Sequence, residues 1–475
     1  MKSAYLYQQL AEDMERAIRR GDFHAGDKLP SLRSLCSDHG VSLATAVQAY
    51  ELLQKSGLVE AQPKKGYIVR LREQEQSQPL ASNPVMRANK VSVAQLAMSL
   101  VQESRHPRLI RLGAAVPGSE LMPLAQLARV QAGVARRYYQ SGANYPEEQG
   151  FIDLRRQIAL LMRDAGCRIQ ANDVLITNGC LEALGIALRC VAKAGDVIAI
   201  ESPTYFGILR AIENLGMKAL ELPTSSASGV DLDALERALK RGLVKACAFQ
   251  PSYNNPYGSC MPDSHKQKLV QLLNRFKVPL IEDDEYGFVS FSSRRPKAVK
   301  AYDKEQRVIY CSSFSKTVSP ALRLGWMVAG QYTDAVIYQK FLDNISTAIH
   351  PQLCMAEILQ RGIFKRSVRH AANVYRMRVR AMQNWIREFF PPETRVSQPE
   401  GGFVLWLQLP KQVDALNLYQ LAMKQRIAIT PGVLFSTQAQ YANYIRLSAG
   451  VVEGESARVS LQKLGRLVYQ LRDSG

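Results

Sequence analysis

The 475-residue chain contains no apolar run of about 18 residues, the minimum for a helix that spans a bilayer. Its first twenty residues, MKSAYLYQQLAEDMERAIRR, mix acids and arginines where a secretory signal needs a continuous apolar core. The eight cysteines, at 36, 167, 180, 190, 247, 260, 311 and 354, form no C-x-x-C pair and have no ladder of histidines nearby. That pattern argues against a zinc site or a disulfide framework and leaves the thiols as small buried hydrophobes. Internal repeats are lacking as well. The expectation is a cytoplasmic protein with no membrane partner and no bound metal.

Positive charge is what the chain has in excess. Sixty-one lysines and arginines face 42 acids, a formal net charge of +19 that favours a polyanionic partner. Residues 1–72 hold eleven basic and eight acidic side chains, so most of the surplus lies further on. Between 361 and 380 the cations Arg361, Lys365, Arg366, Arg369, Arg376, Arg378 and Arg380 occur with no acid among them. On a helix, positions 365, 369, 376 and 380 share one face. That face is either simply solvated or a surface that touches nucleic acid.

The length exceeds one domain of about 150 residues, and the patterning divides it. Leu6, Leu10, Met14 and Ile18 predict an amphipathic helix that stops at Gly21. In GDKLPS, Pro30 makes a turn and Ser31 caps a second helix, which Gly40 ends. Ser42 caps a third, with Ala46, Val47, Tyr50 and Leu53 on its apolar face. Two short β runs, Leu58–Gln62 and Gly66–Arg70, flank Pro63-Lys64-Lys65 as a hairpin with a basic tip. Three helices and a hairpin make a winged helix-turn-helix, an α+β unit. Such units put one helix in the major groove and the wing on adjacent backbone. Here Ser42, Ala44, Thr45 and Gln48 would face DNA from the third helix, with Gln48 able to read a base edge. Arg33, Lys64 and Lys65 are the phosphate contacts, beside the wing glycine Gly66.

Residues 73 to about 89 are rich in Gln, Ser, Pro and Asn and read as a linker, followed by an amphipathic stretch from Val91 to Glu103. The linker region is therefore set at 73–107. From 108 to 475, helical patterns alternate with apolar runs such as DVLIT, DVIAI, KACAF, PLIED and RVIYC, the mark of an α/β domain with a largely parallel sheet.

Within that body, CSSFSKTVSPALRLGW places Lys316 beside Ser313 and Ser315, with Arg323 seven residues on. An amine able to hold an aldehyde as an imine, next to hydroxyls and a planar guanidinium suited to phosphate, points to pyridoxal 5'-phosphate (PLP). IEDDEYGF sets Asp283 at the end of a strand, where it can pair with a protonated ring nitrogen, and Tyr286 three residues later can bond the ring's phenolic oxygen. Asn255 of SYNNPYG can do the same. LITNGCLEAL starts a helix whose free amides at Cys180 and Leu181 suit a phosphate, and Tyr205 of SPTYFG can stack on the ring.

The head resembles the GntR family of winged-helix regulators, from the LPS-x-R turn to Gly66, except that Leu43 stands where many relatives have arginine. The body resembles the fold-type-I, aspartate-aminotransferase-like PLP enzymes with a large and a small subdomain, above all kynurenine and aminoadipate aminotransferases. That resemblance implies Lys316 as the imine lysine, Asp283 at the ring nitrogen, Asn255 and Tyr286 at the phenolic oxygen, and Tyr205 stacked. It assigns Cys180, Leu181, Ser313, Ser315 and Arg323 to the phosphate, although the family's usual glutamine is Leu181 here. Tyr145 of ANYPEEQG matches a tyrosine offered to the neighbouring subunit's phosphate, which implies a homodimer. Arg446 of YIRLSAG matches the arginine that clamps a ligand's α-carboxylate.

Together the two parts look like the MocR subfamily of bacterial regulators. The resemblance implies a cytoplasmic, nucleoid-associated homodimer on double-stranded operator DNA. PLP, or its external aldimine with a small amino compound, would act as effector. Two other readings keep the same residues: an active aminotransferase carrying a DNA-binding head, and a body retained only for dimerisation.

Overall fold

A computed structural model describes residues 6–20, 23, 26–55, 58–62, 66–69, 78–103, 106, 108–438, 440–451 and 454–474. The chain divides into two compact units, residues 1–77 and 78–475.

In the first unit, helices Leu6–Arg20, Leu32–His39 and Leu43–Lys55 precede the hairpin Val59–Gln62 and Gly66–Val69. Its core joins Leu10, Met14, Leu35, Ala46, Ala49, Tyr50, Leu53 and Val59. Leu6, expected on the same face, is 57% exposed. A four-residue step overshoots a helical turn by about 40°, so a run at that spacing drifts off the buried stripe. The adjacent Ala11 takes its place in the core. Ser31 Oγ accepts from Ser34 N at 3.1 Å, as a cap should, and Gly40 ends the second helix in the left-handed region at φ 62°. Lys28 bridges Ile68 and Tyr50 Oη donates to Pro30 O at 2.8 Å, so the turn before the second helix is tied to hairpin and third helix alike.

The second unit is built on a nine-stranded sheet among the described residues. In spatial order run Ala88–Lys90, Lys218–Ser225, Val197–Ser202, Ala246–Phe249, Leu280–Asp283, Val308–Ser313, Gly325–Val328 and Val174–Thr177, with Gly229–Val230 attached to the second of these. The five strands from Lys218–Ser225 to Val308–Ser313 are mutually parallel, and Gly325–Val328 runs against both its neighbours. Alternate side chains feed opposite faces: Ile198 and Ile200 pack with Ala183 and Ala187, while Ala199 packs with Leu235 and Leu269. A four-stranded antiparallel sheet, Arg395–Val396, Val404–Gln408, Tyr444–Ser448 and Thr430–Pro431, forms the smaller subdomain. The result is the α/β body with a largely parallel sheet that the patterning implied, and the smaller sheet corresponds to the small subdomain that the family resemblance implied.

Residues 78–103, placed between the domains by their composition, are part of this second unit. Ala88–Lys90 pairs antiparallel with Lys218–Leu220 as an outer strand. Val85 exchanges hydrogen bonds with the Gln438 amide at 3.1 and 3.0 Å. The helix Ala94–Glu103 has its start capped from afar, Glu213 Oε2 accepting from Val93 N at 2.7 Å and Ala94 N at 2.9 Å. The helix falls within the amphipathic stretch read at Val91–Glu103, whereas polar composition hid the strand, because the partners that fix this segment, the Lys218–Leu220 backbone, the Gln438 amide and the Glu213 carboxylate, lie more than a hundred residues away.

Candidate functional site

Parallel strands end at one edge of the sheet, and that edge collects the chemistry. Gly179, Gln250, Asp283 and Ser313 all lie at or just beyond strand C-termini, and a cavity of about 420 Å³ opens above them. It is lined by Cys180, Leu181, Tyr205, Asn255, Asp283, Tyr286, Ser313, Ser315, Lys316, Arg323 and Arg446, every residue predicted for cofactor and ligand except Tyr145. Tyr145 is 82% exposed, outside the cavity. A more open groove of about 600 Å³ near Cys167, Lys300 and Gln306 holds none of these groups.

Lys316 follows the strand Val308–Ser313, and its Nζ donates to Ala115 O at 2.8 Å. Burial lowers the affinity of its amine for a proton, Arg446 and Arg323 act the same way, and Glu285 and Asp283 oppose them. A lysine that gives up its proton readily is what imine formation requires.

Asp283 and Asp284 are neighbours with different surroundings. Asp284 is neutralised: Arg295 Nη2 and Tyr310 Oη both donate to its Oδ2 at 2.6 Å. Asp283 receives only neutral donors, Gln250 Nε2 at 2.7 Å and Cys180 Sγ at 3.3 Å. Burial, with Glu285 adding to it, pushes the Asp283 carboxyl up to about 7. A buried carboxylate without a cation in a cavity is a ready seat for a protonated heteroaromatic nitrogen.

The opposite wall shows the complementary imbalance. Arg446, on the small-sheet strand Tyr444–Ser448, is 3% exposed. It donates to Asn255 Oδ1 at 3.2 Å, to Thr430 Oγ1 at 3.1 Å and to Gly113 O, yet no acid pairs with it among the described residues, and its Nε is buried without a partner. Burial disfavours its charge, with Tyr286 and Tyr205 opposing. The hydroxyl of Tyr286 is likewise buried and unpartnered. Tyr205 precedes the helix Phe206–Asn214, and its phenol is pushed up to about 12 by burial.

At the third corner, Cys180 and Leu181 begin the helix Cys180–Val191, whose first amides have no intrahelical acceptors. Gly179 before it has φ 88°, and a Cβ there would come within 2.6 Å of Arg323 Nη2. Only glycine permits that approach. Arg323 Nη2 donates to Asn178 O at 3.1 Å, and Ser315 N donates to Ser313 Oγ at 3.0 Å. Amides, two serines and a guanidinium beside a helix start suit a phosphate. A cationic nitrogen for Asp283, an oxygen for Tyr286, an aldehyde for Lys316 and a phosphate for this corner are the parts of PLP, and the residues fit it.

The sequence reading passed over Gln250, Glu285, Arg111 and Arg210, which also line the cavity. Gln250 was within reach, since it directly follows the KACAF strand at the ligand-binding edge. Arg111 and Arg210 carry no local mark in the sequence.

In the head, Ser42 caps the third helix, its Oγ accepting from Thr45 N at 3.2 Å and lying 2.8 Å from Thr45 Oγ1. Arg33, Ser42, Leu43, Ala44, Gln48 and Gly66 are exposed and Thr45 is half-buried. Gly66 takes φ 94°. Lys64 and Lys65 lie outside the described residues. The basic run occupies the 27-residue helix Ile363–Phe389 and the residues just before it. Acids from elsewhere neutralise part of it: Lys365 pairs with Asp164 at 2.7 Å, Arg378 with Glu120 at 2.9 Å, and Arg361 with Glu357. Arg369, Arg376 and Arg380 have no ion-pair partner among the described residues.

Two family models match. "Bacterial regulatory proteins, gntR family" covers residues 6–69 and "Aminotransferase class I and II" covers 119–460. The chain is 34% identical to the HTH-type transcriptional regulator YjiR of Escherichia coli K12, over 98% of this chain and 99% of the relative. YdcR of the same organism, also an HTH-type transcriptional regulator, is 34% identical over the same shares. Among solved structures, the α-aminoadipate aminotransferase LysN of Thermus thermophilus, complexed with N-(5'-phosphopyridoxyl)-L-leucine, superposes with a TM-score of 0.73. It is 26% identical and covers 81% of this chain and 100% of LysN.

Proposed function

This chain belongs to the MocR-type regulators, a gntR-family head followed by an aminotransferase class I and II body, and from that premise we propose that it is a PLP-dependent transcriptional regulator whose body reads out a small amino compound. The observation that carries the reading is the set of buried groups in one cavity that have no match among the described residues: Asp283 without an ion-pair partner, the Tyr286 hydroxyl without a hydrogen-bond partner, and Arg446 without an acid.

When bound, PLP supplies an aldehyde that condenses with amines and a ring that withdraws electrons. Lys316 presents the amine that holds it. Asp283 pairs with the ring nitrogen, Asn255 and Tyr286 address the phenolic oxygen, and Tyr205 stacks on the ring. The amides of Cys180 and Leu181, with Ser313, Ser315 and Arg323, hold the phosphate. Arg446 takes the carboxylate of the amino compound, and Tyr145 serves a neighbouring subunit in a homodimer. In the head, Arg33, Ser42, Ala44, Thr45 and Gln48, with Lys64, Lys65 and Gly66 of the wing, bind double-stranded operator DNA. An amino compound whose carboxylate engages Arg446 would shift the dimer's affinity for operator to the extent that it binds one conformation better than the other.

The test is to select genomic DNA fragments with the purified full chain, then measure their affinity with and without PLP and a panel of amino acids while assaying keto-acid formation. The expected result is a ligand-dependent change in affinity without sustained keto-acid production. Sustained turnover with no change in DNA affinity would replace this reading with an aminotransferase that carries a DNA-binding head.

A further inference from the structure

Glu285 sits between the two residues on which ring binding depends, Asp283 and Tyr286, and its carboxylate is already engaged in the cavity. Its Oε1 accepts from Ser313 Oγ at 2.8 Å, while its Oε2 is buried with no partner among the described residues. Ligand atoms of Glu285, Asp283 and Cys180 lie within 4.8 Å of one another. A serine hydroxyl has one proton to donate. That of Ser313 is committed to Glu285, yet Ser313 is also assigned to the phosphate.

We propose that Glu285 is a built-in competitor for the cofactor's phosphate seat: it holds the Ser313 proton until a phosphate displaces it, so this chain takes up a proton when it takes up PLP. The inference rests on the PLP reading above. The charge argument is simple. An ionised Glu285 left in place would lose the Ser313 proton to the phosphate and stand as a second anion beside the dianion in a buried site, whereas a protonated Glu285 loses the like charge and gains an O–H to donate. No covalent step is involved; one proton moves from solvent to the Glu285 carboxylate as the phosphate moves in.

The groups that face Glu285 set the balance. Asp283 and Asp284 on its own loop and Cys180 on the helix Cys180–Val191 resist its charge; Lys316, Arg323 and the Ser313 hydroxyl support it; Tyr205 and Tyr286 are close neutral neighbours. Burial is the largest influence and pushes the carboxyl above its ordinary range. Filling the phosphate seat adds a further anion and pushes it higher.

Calorimetric titration of the cofactor-free full chain separates the possibilities. Binding of PLP and of pyridoxal, which lacks the phosphate, is measured at about pH 8, where a phosphate monoester is a dianion, in buffers of different ionisation enthalpy so that protons are counted. The wild type is expected to take up more protons with PLP than with pyridoxal. Glu285→Gln, which keeps the shape and can donate an N–H, is expected to gain about tenfold more affinity for PLP than for pyridoxal, the equivalent of one pKa unit, with the extra proton uptake gone; comparing the two ligands cancels the effect that loss of the Glu285 charge has on Lys316 and Asp283. Equal proton uptake for the two ligands in the wild type overturns the proposal, and this measurement needs no variant. So does a Glu285→Gln protein that gains no more affinity for PLP than for pyridoxal. A wild type that binds neither ligand overturns the PLP reading itself. Glu285→Ala, measured in the same way, replaces Glu285→Gln should the latter not fold.

Discussion

Ser42, Ala44 and Gln48 stand in solvent at the start of the head's third helix, whereas Asp283, Tyr286 and Arg446 are buried in the body. The head's groups are exposed, so nothing in their burial or hydrogen bonding marks them as functional; position on a helix-turn-helix does. The body's groups stand out because their partners are missing. A buried carboxylate without a cation and a buried guanidinium without an acid are each unfavourable alone. Each becomes favourable when the matching half of a ligand arrives. Ligand binding should therefore stabilise the body strongly, while DNA binding should depend on the head through additive, salt-sensitive surface contacts.

Five predictions test that contrast. The largest effect is expected for Lys316→Ala: absorbance titration should show complete loss of covalent PLP attachment, and DNA affinity should no longer respond to PLP with amino compounds. A normal response in this variant would mean that sensing does not run through attachment at Lys316. Next, Arg446→Ala should weaken binding of an α-amino acid to the PLP-loaded protein by about 30-fold or more, as expected for about 2–3 kcal/mol of charge-assisted hydrogen bonds. Affinity for PLP itself should change far less.

In the head, Gln48→Ala should cost about 1–3 kcal/mol of discrimination at one base pair. Arg33→Ala should weaken all sequences alike and reduce the salt slope by about 0.9. If Arg33→Ala instead altered sequence preference, the division between positioning and reading residues would be wrong.

The smallest expected effect is on the stability of the cofactor-free body. Asp283 and Glu201 are both raised to about 7 by burial, with one backbone hydrogen bond from Gln250 restraining Glu201. A carboxyl raised on folding favours the fold fully below its unfolded value of about 4 and loses that contribution as pH climbs through about 7. Thermal unfolding should thus shift to lower temperature between about pH 4 and 7. Asp283→Asn should flatten part of that decline and weaken PLP binding at the same time.

Much of this was readable from the chain itself, for reasons that differ by residue. Ser42 and Gly40 were legible because capping and helix termination are local. Lys316, Asp283 and Arg323 were legible because one strand-to-loop transition, repeated along the sheet, fixes their spacing to the cavity. Glu285 was quoted within its motif and still missed, since only the side-chain geometry reveals that it shares Ser313 with the phosphate. The strand Ala88–Lys90 was unreadable in another sense. Three residues, ANK, have no β pattern, and their conformation is set by Lys218–Leu220, 130 positions away.

That short strand has a practical consequence. It covers Lys218–Leu220 at the outer side of the strand Lys218–Ser225, whose backbone there would otherwise present free N–H and C=O groups. Such a flank is a template for strand addition by another molecule. A body trimmed to start at residue 108, or at 119 where the aminotransferase model begins to match, would lose its cover and self-associate. One that begins at residue 78 would keep it.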